Sequence, residues 1–104
     1  MATELDHIVV GCADLASGET WMTDLLGKPA QGGGEHAAMS THNKVWSLGS
    51  CFLELIAINP DAPDPGRKRW FSLDDPAMQA KLAQGPHLLT WAIRVDDLEA
   101  TVAA

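Results

Sequence analysis

The sequence contains no tyrosine, only 2 cysteines and few basic residues, and each shortage excludes a class of protein. Its 7 Lys and Arg residues stand against 14 Asp and Glu residues, which gives a net charge of −7 and a pI near 4.7. A chain this acidic lacks the basic face that nucleic-acid phosphates require, so we expect no nucleic-acid partner. Two cysteines are too few for a disulfide framework, and we therefore expect a cytoplasmic protein.

Long apolar runs are missing as well. The longest are far too short to span a bilayer: Ile8–Val10, Cys51–Leu53 and Leu55–Ile58. Glu4 and Asp6 stand where a signal peptide would carry basic residues. We therefore expect neither a membrane partner nor an export signal. The length of 104 residues allows one domain, and dimerisation would add to the stability of its small core.

The first part of the chain predicts a strand followed by a helix. Residues 5–11, LDHIVVG, are rich in β-branched side chains and end at a glycine, which is typical of a buried strand. Apolar residues then recur at helical spacing between Asp14 and Gly27. Asp14 is a good N-cap, and Gly27 suits the left-handed position that ends a helix. We expect this amphipathic helix to lie across a sheet.

Glycines mark the next two segments. Residues 28–40 contain Pro29 and three consecutive glycines, which favours a loop or an irregular edge strand. These glycines follow no strong strand and lead into no helix, so they are not a dinucleotide-binding motif, and we expect no organic cofactor. Gly49 and Ser50 separate two β-rich runs, as in a hairpin with a type II′ turn. A two-residue turn pairs position 46 with 53 and position 45 with 54.

Side-chain alternation gives this predicted hairpin two unlike faces. The more apolar face should receive the helix, and it carries Lys44, Trp46, Leu48, Cys51, Leu53 and Leu55. The other face mixes polar and apolar groups, as the wall of a cleft does, and it carries Asn43, Val45, Ser47, Phe52, Glu54 and Ile56.

The remainder of the chain suggests a repeat. Residues 60–86 form a proline-rich loop and a short helix, and residues 87–104 repeat the opening pattern of a strand followed by a helix N-cap. Aligning Asp14 with Asp97 superposes the two units. We therefore expect one βαβββ module in residues 1–59 and the truncated start of a second module in residues 87–104.

Three stretches carry a resemblance to a known family. LDHIVVGCADLASGETWMTDLLG resembles the opening strand and helix of the vicinal oxygen chelate superfamily, which includes glyoxalase I and the extradiol dioxygenases. STHNKVWSLGSCFLELIAINPDAPDPGRKRWFSLDDP, followed by LLTWAIRVDDL, is similar to bacterial glyoxalase-like domain proteins. The resemblance implies an α+β fold: one βαβββ module plus the first strand of a second. Its curved mixed sheet would carry a helix on one face and line a small-molecule cleft.

The resemblance also implies a site. In metal-using members each module supplies one ligand from its first strand and one carboxylate from its last, which implies His7 and Glu54 as ligands of a divalent metal (Zn, Ni, Mn or Fe). The second module offers Thr90, or Trp91 if the register shifts, and neither suits such a metal. The first hypothesis is a glyoxalase-like lyase, isomerase or dioxygenase, or its remnant. The alternative is a non-enzymatic protein that binds or sequesters a small ligand.

The chemistry of His7 and Glu54 supports a role for both as catalytic residues. Imidazole titrates near neutral pH and suits His7 to proton transfer, although a strand histidine can also be purely structural. Glu54 lies within FLELIAI, where burying an ionised carboxylate costs several kcal/mol unless it is paired, protonated, metal-bound or facing a wet cleft. An edge strand that exposes Glu54 to solvent is the other interpretation.

Seven further residues are candidates for substrate binding: Thr41, His42, Asn43, Trp46, Arg67, Trp70 and Trp91. The polar residues at 41–43 could bind substrate oxygens or form a turn, and strand parity leaves His42 on the face opposite Asn43. Arg67 could clamp an anion or belong to a solvated loop, and the tryptophans could wall a pocket or fill the core. His36 and His87 are interpreted as surface-loop residues.

A single module also leaves sheet edges without a neighbour, and such edges recruit partners. We therefore expect a homodimer. The strand at 88–95 would either join its own sheet or cross to the mate.

Overall fold

The expected order of strand, helix and three strands is present in the structure, a computed structural model that describes residues 3–95. The elements are β1 (Thr3–Gly11), α1 (Leu15–Leu26), β2 (Gly32–His36), β3 (Thr41–Ser47), β4 (Phe52–Ile58), a 3₁₀ turn (Trp70–Ser72), α2 (Pro76–Ala83) and β5 (His87–Val95). The helix cap expected at Asp97 lies outside the described residues. Neither α-helix in residues 3–95 has the length and apolar character needed to cross a bilayer.

The five strands form one mixed, curved sheet in the order β2-β3-β4-β1-β5. β1 runs parallel to β4, and the other neighbouring strands are antiparallel. The α+β fold expected from the sequence is therefore confirmed. The glycine-rich segment is an edge strand, and β5 joins its own sheet beside β1, which is the first of the two arrangements considered for it.

The β3–β4 hairpin has the predicted register. Trp46 is opposite Leu53, and the Leu48 amide donates to the Cys51 carbonyl at 2.8 Å. Gly49 has a φ of +94°, as the first central residue of a type II′ turn requires. The register fixes which face of the sheet each of these side chains occupies.

Helix α1 covers the apolar face of this hairpin, as expected, and forms the main core with it. The core residues are Val10, Cys12, Leu15, Met22, Trp46, Leu53, Leu55 and Ala57. Burial raises the pKa of the Cys12 thiol to about 12, so Cys12 packs as a neutral thiol. Trp46 is 0% exposed, and its indole N–H donates to the Lys28 carbonyl at 3.0 Å. This burial under α1 is incompatible with the expected contact between Trp46 and a substrate.

Both ends of α1 are capped as the sequence predicts. The Asp14 carboxylate accepts from the Ser17 amide at 2.9 Å, and Gly27 ends the helix with a φ of +73°. Hydrogen bonds from the Ser17 side chain and amide hold the pKa of Asp14 below its ordinary value of 3.8. The Arg69 amide and guanidinium do the same for the pKa of Asp74.

These two carboxylates predict a loss of stability in acid. A depressed folded-state pKa contributes stability above the ordinary value of 3.8, and that contribution disappears as the pH falls through the folded-state pKa. We expect the urea midpoint of unfolding to fall steadily as the pH is lowered below 3.8. Asp14→Asn should keep the cap at pH 7 and make this fall shallower, because asparagine caps well without titrating. An unchanged pH profile in Asp14→Asn would contradict the assignment.

Candidate functional site

The sheet face opposite α1 carries a cavity of about 440 Å³. Its lining residues are His7, His36, Glu54, Ile56, Trp70 and Phe71. β1, β2 and β4 supply the polar groups, and the 3₁₀ turn brings two aromatic rings to the same space. His7 is opposite Phe52 in the sheet, and Glu54 follows two residues along β4, so alternation directs both onto one face. The two residues nominated as catalytic therefore line a common cavity.

Asn43 holds Glu54 in the cavity wall. The Asn43 side-chain nitrogen donates to Oε2 of Glu54 at 2.7 Å, while the Asn43 side-chain oxygen accepts from the Gly34 amide at 2.8 Å. A backbone N–H can only donate, so the Gly34 bond settles which end of the Asn43 amide faces Glu54. The Glu54 side chain is 13% exposed. Glu54 is thus a mostly buried carboxylate that still lines the cavity.

His36 extends this network, although the sequence predicts a surface loop at this position. Its Nε2 lies 3.8 Å from Oε2 of Glu54 and 3.5 Å from the Asn43 side-chain nitrogen, and its Nδ1 lies 3.0 Å from the Thr41 hydroxyl. The Trp70 ring meets the imidazole edge-on at 5.7 Å. A four-residue turn at 37–40 places His36 directly opposite Thr41. Residues 37–40 are Ala-Ala-Met-Ser and carry no strong turn signal, so the sequence offered no basis for assigning His36 to the cavity.

His7 is held by contacts of a different kind. Its Nδ1 lies 2.7 Å from Oδ2 of Asp6, and its ring stacks on Phe52 with centroids 4.6 Å apart and planes 9° from parallel. Its side chain is 23% exposed. The contact with Asp6 leaves Nε2 as the ring nitrogen available to a molecule in the cavity.

The substrate-binding candidates divide into two groups. Asn43, Trp70 and the buried Thr41 belong to the cavity or to the network behind it. The other four lie elsewhere: Trp46, His42, Arg67 and Trp91.

Sheet geometry explains the positions of His42 and Trp91. His42 is opposite Ala57 on the core face, as strand parity indicated, and Trp91 is opposite Ile8, whose side chain packs against that same core. Arg67 is exposed and is not among the residues that line the cavity.

The described residues do not complete a metal site. Imidazole and carboxylate are suitable donors for Zn²⁺, Ni²⁺, Mn²⁺ or Fe²⁺, and the cavity offers both. Within residues 3–95, however, no three His, Cys, Asp or Glu side chains are grouped so that they could hold a metal ion. Oε2 of Glu54 is also engaged by Asn43. His7 and Glu54 would need further ligands from outside this part of the chain.

Solved structures confirm the fold. The methylmalonyl-CoA epimerase of Mycobacterium tuberculosis is similar with a TM-score of 0.63 and 22% identity, over 93% of this chain and 58% of that one. A Streptomyces coelicolor methylmalonyl-CoA epimerase variant in complex with 2-nitronate-propionyl-CoA has a TM-score of 0.65 and 18% identity, over 99% of this chain and 69% of that one. A hypothetical protein from Bacillus halodurans has a TM-score of 0.66 and 17% identity, over 99% of this chain and 66% of that one. The chain thus spans about three-fifths to two-thirds of these proteins. A search of curated protein sequences gave no match.

The sheet, the helix on one face and the polar cavity on the other define a protein of the vicinal oxygen chelate fold. The profile of the glyoxalase-like domain family matches residues 5–104, and the chain belongs to that family.

Proposed function

We propose that this domain binds a small carbonyl compound in the cavity and moves a proton on the carbon beside the carbonyl, with Glu54 as the base. The observation that supports this most directly is the mostly buried Glu54 carboxylate at the cavity wall, oriented by Asn43. A carboxylate in such a place needs a partner, and Asn43 supplies one hydrogen bond without neutralising the charge.

The proposed proton path uses Glu54 and its neighbour His36. Asn43 engages Oε2 of Glu54, so Oε1 is the atom that would take the proton from carbon. The C–H electron pair then moves into the carbonyl group, which becomes an enolate. Return of a proton from Glu54 to the same face of that carbon regenerates the substrate with its α-hydrogen exchanged, whereas an isomerisation requires a proton donor on the opposite face. His36, 3.8 Å from the carboxylate, would accept or return the proton between turnovers.

His7 would act at the oxygen of the same substrate. It lies on a different strand of the same cavity, and in its cationic form Nε2–H can donate to the oxygen on which negative charge develops. Trp70 and Phe71 would contact the apolar part of the substrate. His7 and Glu54 therefore have separate roles, one at oxygen and one at carbon.

Acyl thioesters are the first substrates to test. Similar solved methylmalonyl-CoA epimerase structures are complexes with methylmalonyl-CoA and NH₄⁺ and with 2-nitronate-propionyl-CoA. Those proteins are 18% identical to this chain, so the thioester class is our proposal for it. The cavity of about 440 Å³ is within the range, about 300–1,000 Å³, of ordinary small-molecule pockets.

The decisive measurement is hydrogen exchange at carbon. The protein is incubated in D₂O with methylmalonyl-CoA, without added metal and with Zn²⁺, Ni²⁺, Mn²⁺ or Fe²⁺ in turn, and α-deuterium is followed by mass spectrometry. Exchange above the protein-free rate supports the proposal. Binding in isothermal titration without exchange would instead support a ligand-binding protein, the alternative favoured by the incomplete ligand set in residues 3–95. If the protein shows neither exchange nor binding, the thioester proposal is rejected.

We also propose that the domain forms a homodimer through the outer part of β5. Apolar side chains are exposed along β5 and the neighbouring end of β1, namely Leu5, Leu88, Trp91 and Ile93, and β5 is an edge of the described sheet. We expect a dimer at micromolar concentration in sedimentation velocity and a monomer for Ile93→Lys. Leu25→Lys, at an exposed apolar site on α1, is the matched control and should remain dimeric. A wild-type protein that is monomeric throughout would contradict this proposal.

A further inference from the structure

A bulge in β1 places an acidic side chain beside His7. The pairing of β1 with β5 shifts between Leu5 and His7, so Asp6 is the extra residue at that point. Consecutive residues of a regular strand point to opposite faces. The irregularity accounts for the observed contact, in which Oδ2 of Asp6 lies 2.7 Å from Nδ1 of His7.

The other oxygen of Asp6 is engaged from β5. One guanidinium nitrogen of Arg94 donates a hydrogen bond to Oδ1 of Asp6 at 3.2 Å. The other donates to Oε2 of Glu4 at 2.8 Å and to the Ser50 carbonyl at 3.2 Å. Asp6 is therefore held at both oxygens, by Arg94 on one side and His7 on the other. The Arg94 contacts link β1, β5 and the turn between β3 and β4.

We infer that Asp6 and Arg94 are positioning residues that hold His7 in the tautomer protonated at Nδ1, with the lone pair of neutral Nε2 directed to the cavity. A carboxylate accepts and cannot donate, so the ring nitrogen beside it must carry the hydrogen. The stacked Phe52 ring fixes the remaining freedom, the tilt of the imidazole plane. Only the catalytic consequence of this inference rests on the proposed function.

The tautomer is directly measurable. In protein labelled with ¹⁵N-histidine, at a pH where His7 is neutral, we expect its ¹⁵N shifts to show a protonated Nδ1 and a bare Nε2. Asp6→Asn should move the population toward the Nε2–H tautomer, because an amide N–H can donate to Nδ1. Glu4→Gln is the matched control. It removes another acidic partner of Arg94 that does not contact His7, and it should leave the His7 shifts unchanged.

Two results would overturn the inference: Nε2–H as the dominant tautomer of the wild type, or identical His7 shifts in wild type and Asp6→Asn. The first needs no variant, so it holds even if Asp6→Asn does not fold. Where α-exchange is detected, Asp6→Asn should lower kcat by about 10- to 100-fold, because the doubly protonated His7 that donates from Nε2 loses the carboxylate beside its Nδ1. KM should change little, since Asp6 is not among the cavity-lining residues. An Nδ1–H tautomer in a protein that neither binds nor exchanges the thioester would reject the proposed function and leave the positioning role intact.

Discussion

Glu54→Gln is expected to lower the rate of α-deuterium exchange by about 10²- to 10⁴-fold, the usual contribution of a positioned general base. Glutamine has the shape of glutamate and can still accept from Asn43 through its side-chain oxygen, so the variant should fold. It cannot take a proton from carbon. Exchange of the substrate α-hydrogen, followed by mass spectrometry, separates this chemical loss from a loss of binding measured by titration.

A matched control strengthens the assignment. Glu19→Gln makes the same chemical change on α1, across the sheet, where Glu19 pairs with Lys44 at 3.9 Å. We expect the exchange rate of Glu19→Gln to stay within about twofold of wild type, because surface ion pairs contribute little, about 0–1 kcal/mol. Equal rates for Glu54→Gln and the wild type would remove Glu54 from the chemistry, whatever the thioester affinity.

The second large effect concerns stability. Trp46→Ala should destabilise the domain by about 3–5 kcal/mol, since it empties a fully buried site and removes the hydrogen bond to the Lys28 carbonyl. Domains of this kind have a total stability of about 5–15 kcal/mol, so this loss is a large fraction of the total. Urea denaturation followed by circular dichroism measures the change in the free energy of unfolding.

Trp91→Ala provides the comparison, with both variants made in the Ile93→Lys background, which we expect to be monomeric, so that the proposed dimer surface does not contribute. Its side chain is 61% exposed, and a substitution there should change the free energy of unfolding by about 0.5 kcal/mol or less. The two variants remove the same side chain from one sheet, so the difference between them reports burial together with the hydrogen bond to the Lys28 carbonyl. A Trp46→Ala protein as stable as Trp91→Ala would show that Trp46 is not the core residue described above.

The sequence carried enough information for those parts of the fold that depend on local patterns. Asp14 and Gly27 marked the ends of α1, and the pair at Gly49 and Ser50 fixed the register of the hairpin. Once that register was known, alternation put Glu54 and Asn43 on one face, and the structure shows them hydrogen-bonded. These predictions succeeded because each needed only neighbours within a few residues along the chain.

Pairings that the sequence does not signal account for what was missed. His36 reaches the cavity only because a turn at 37–40 sets it opposite Thr41, and no strong turn signal occurs there. The acidic neighbour of His7 depends on a bulge created by pairing with β5, far along the chain. Trp46 and Trp91 are alike in the sequence, and only the position of α1 over the hairpin buries one of them.

The strand order has a consequence for how the cavity is assembled during folding. β2, β3 and β4 form a continuous meander, so the cluster of His36, Asn43 and Glu54 closes through loops of fewer than 20 residues. The support of His7 requires Arg94, 88 residues away from Asp6. Contacts of low sequence separation form faster, so the carboxylate half of the cavity is expected to form first. The imidazole of β1 would then acquire its support only when the distant segments of the chain meet.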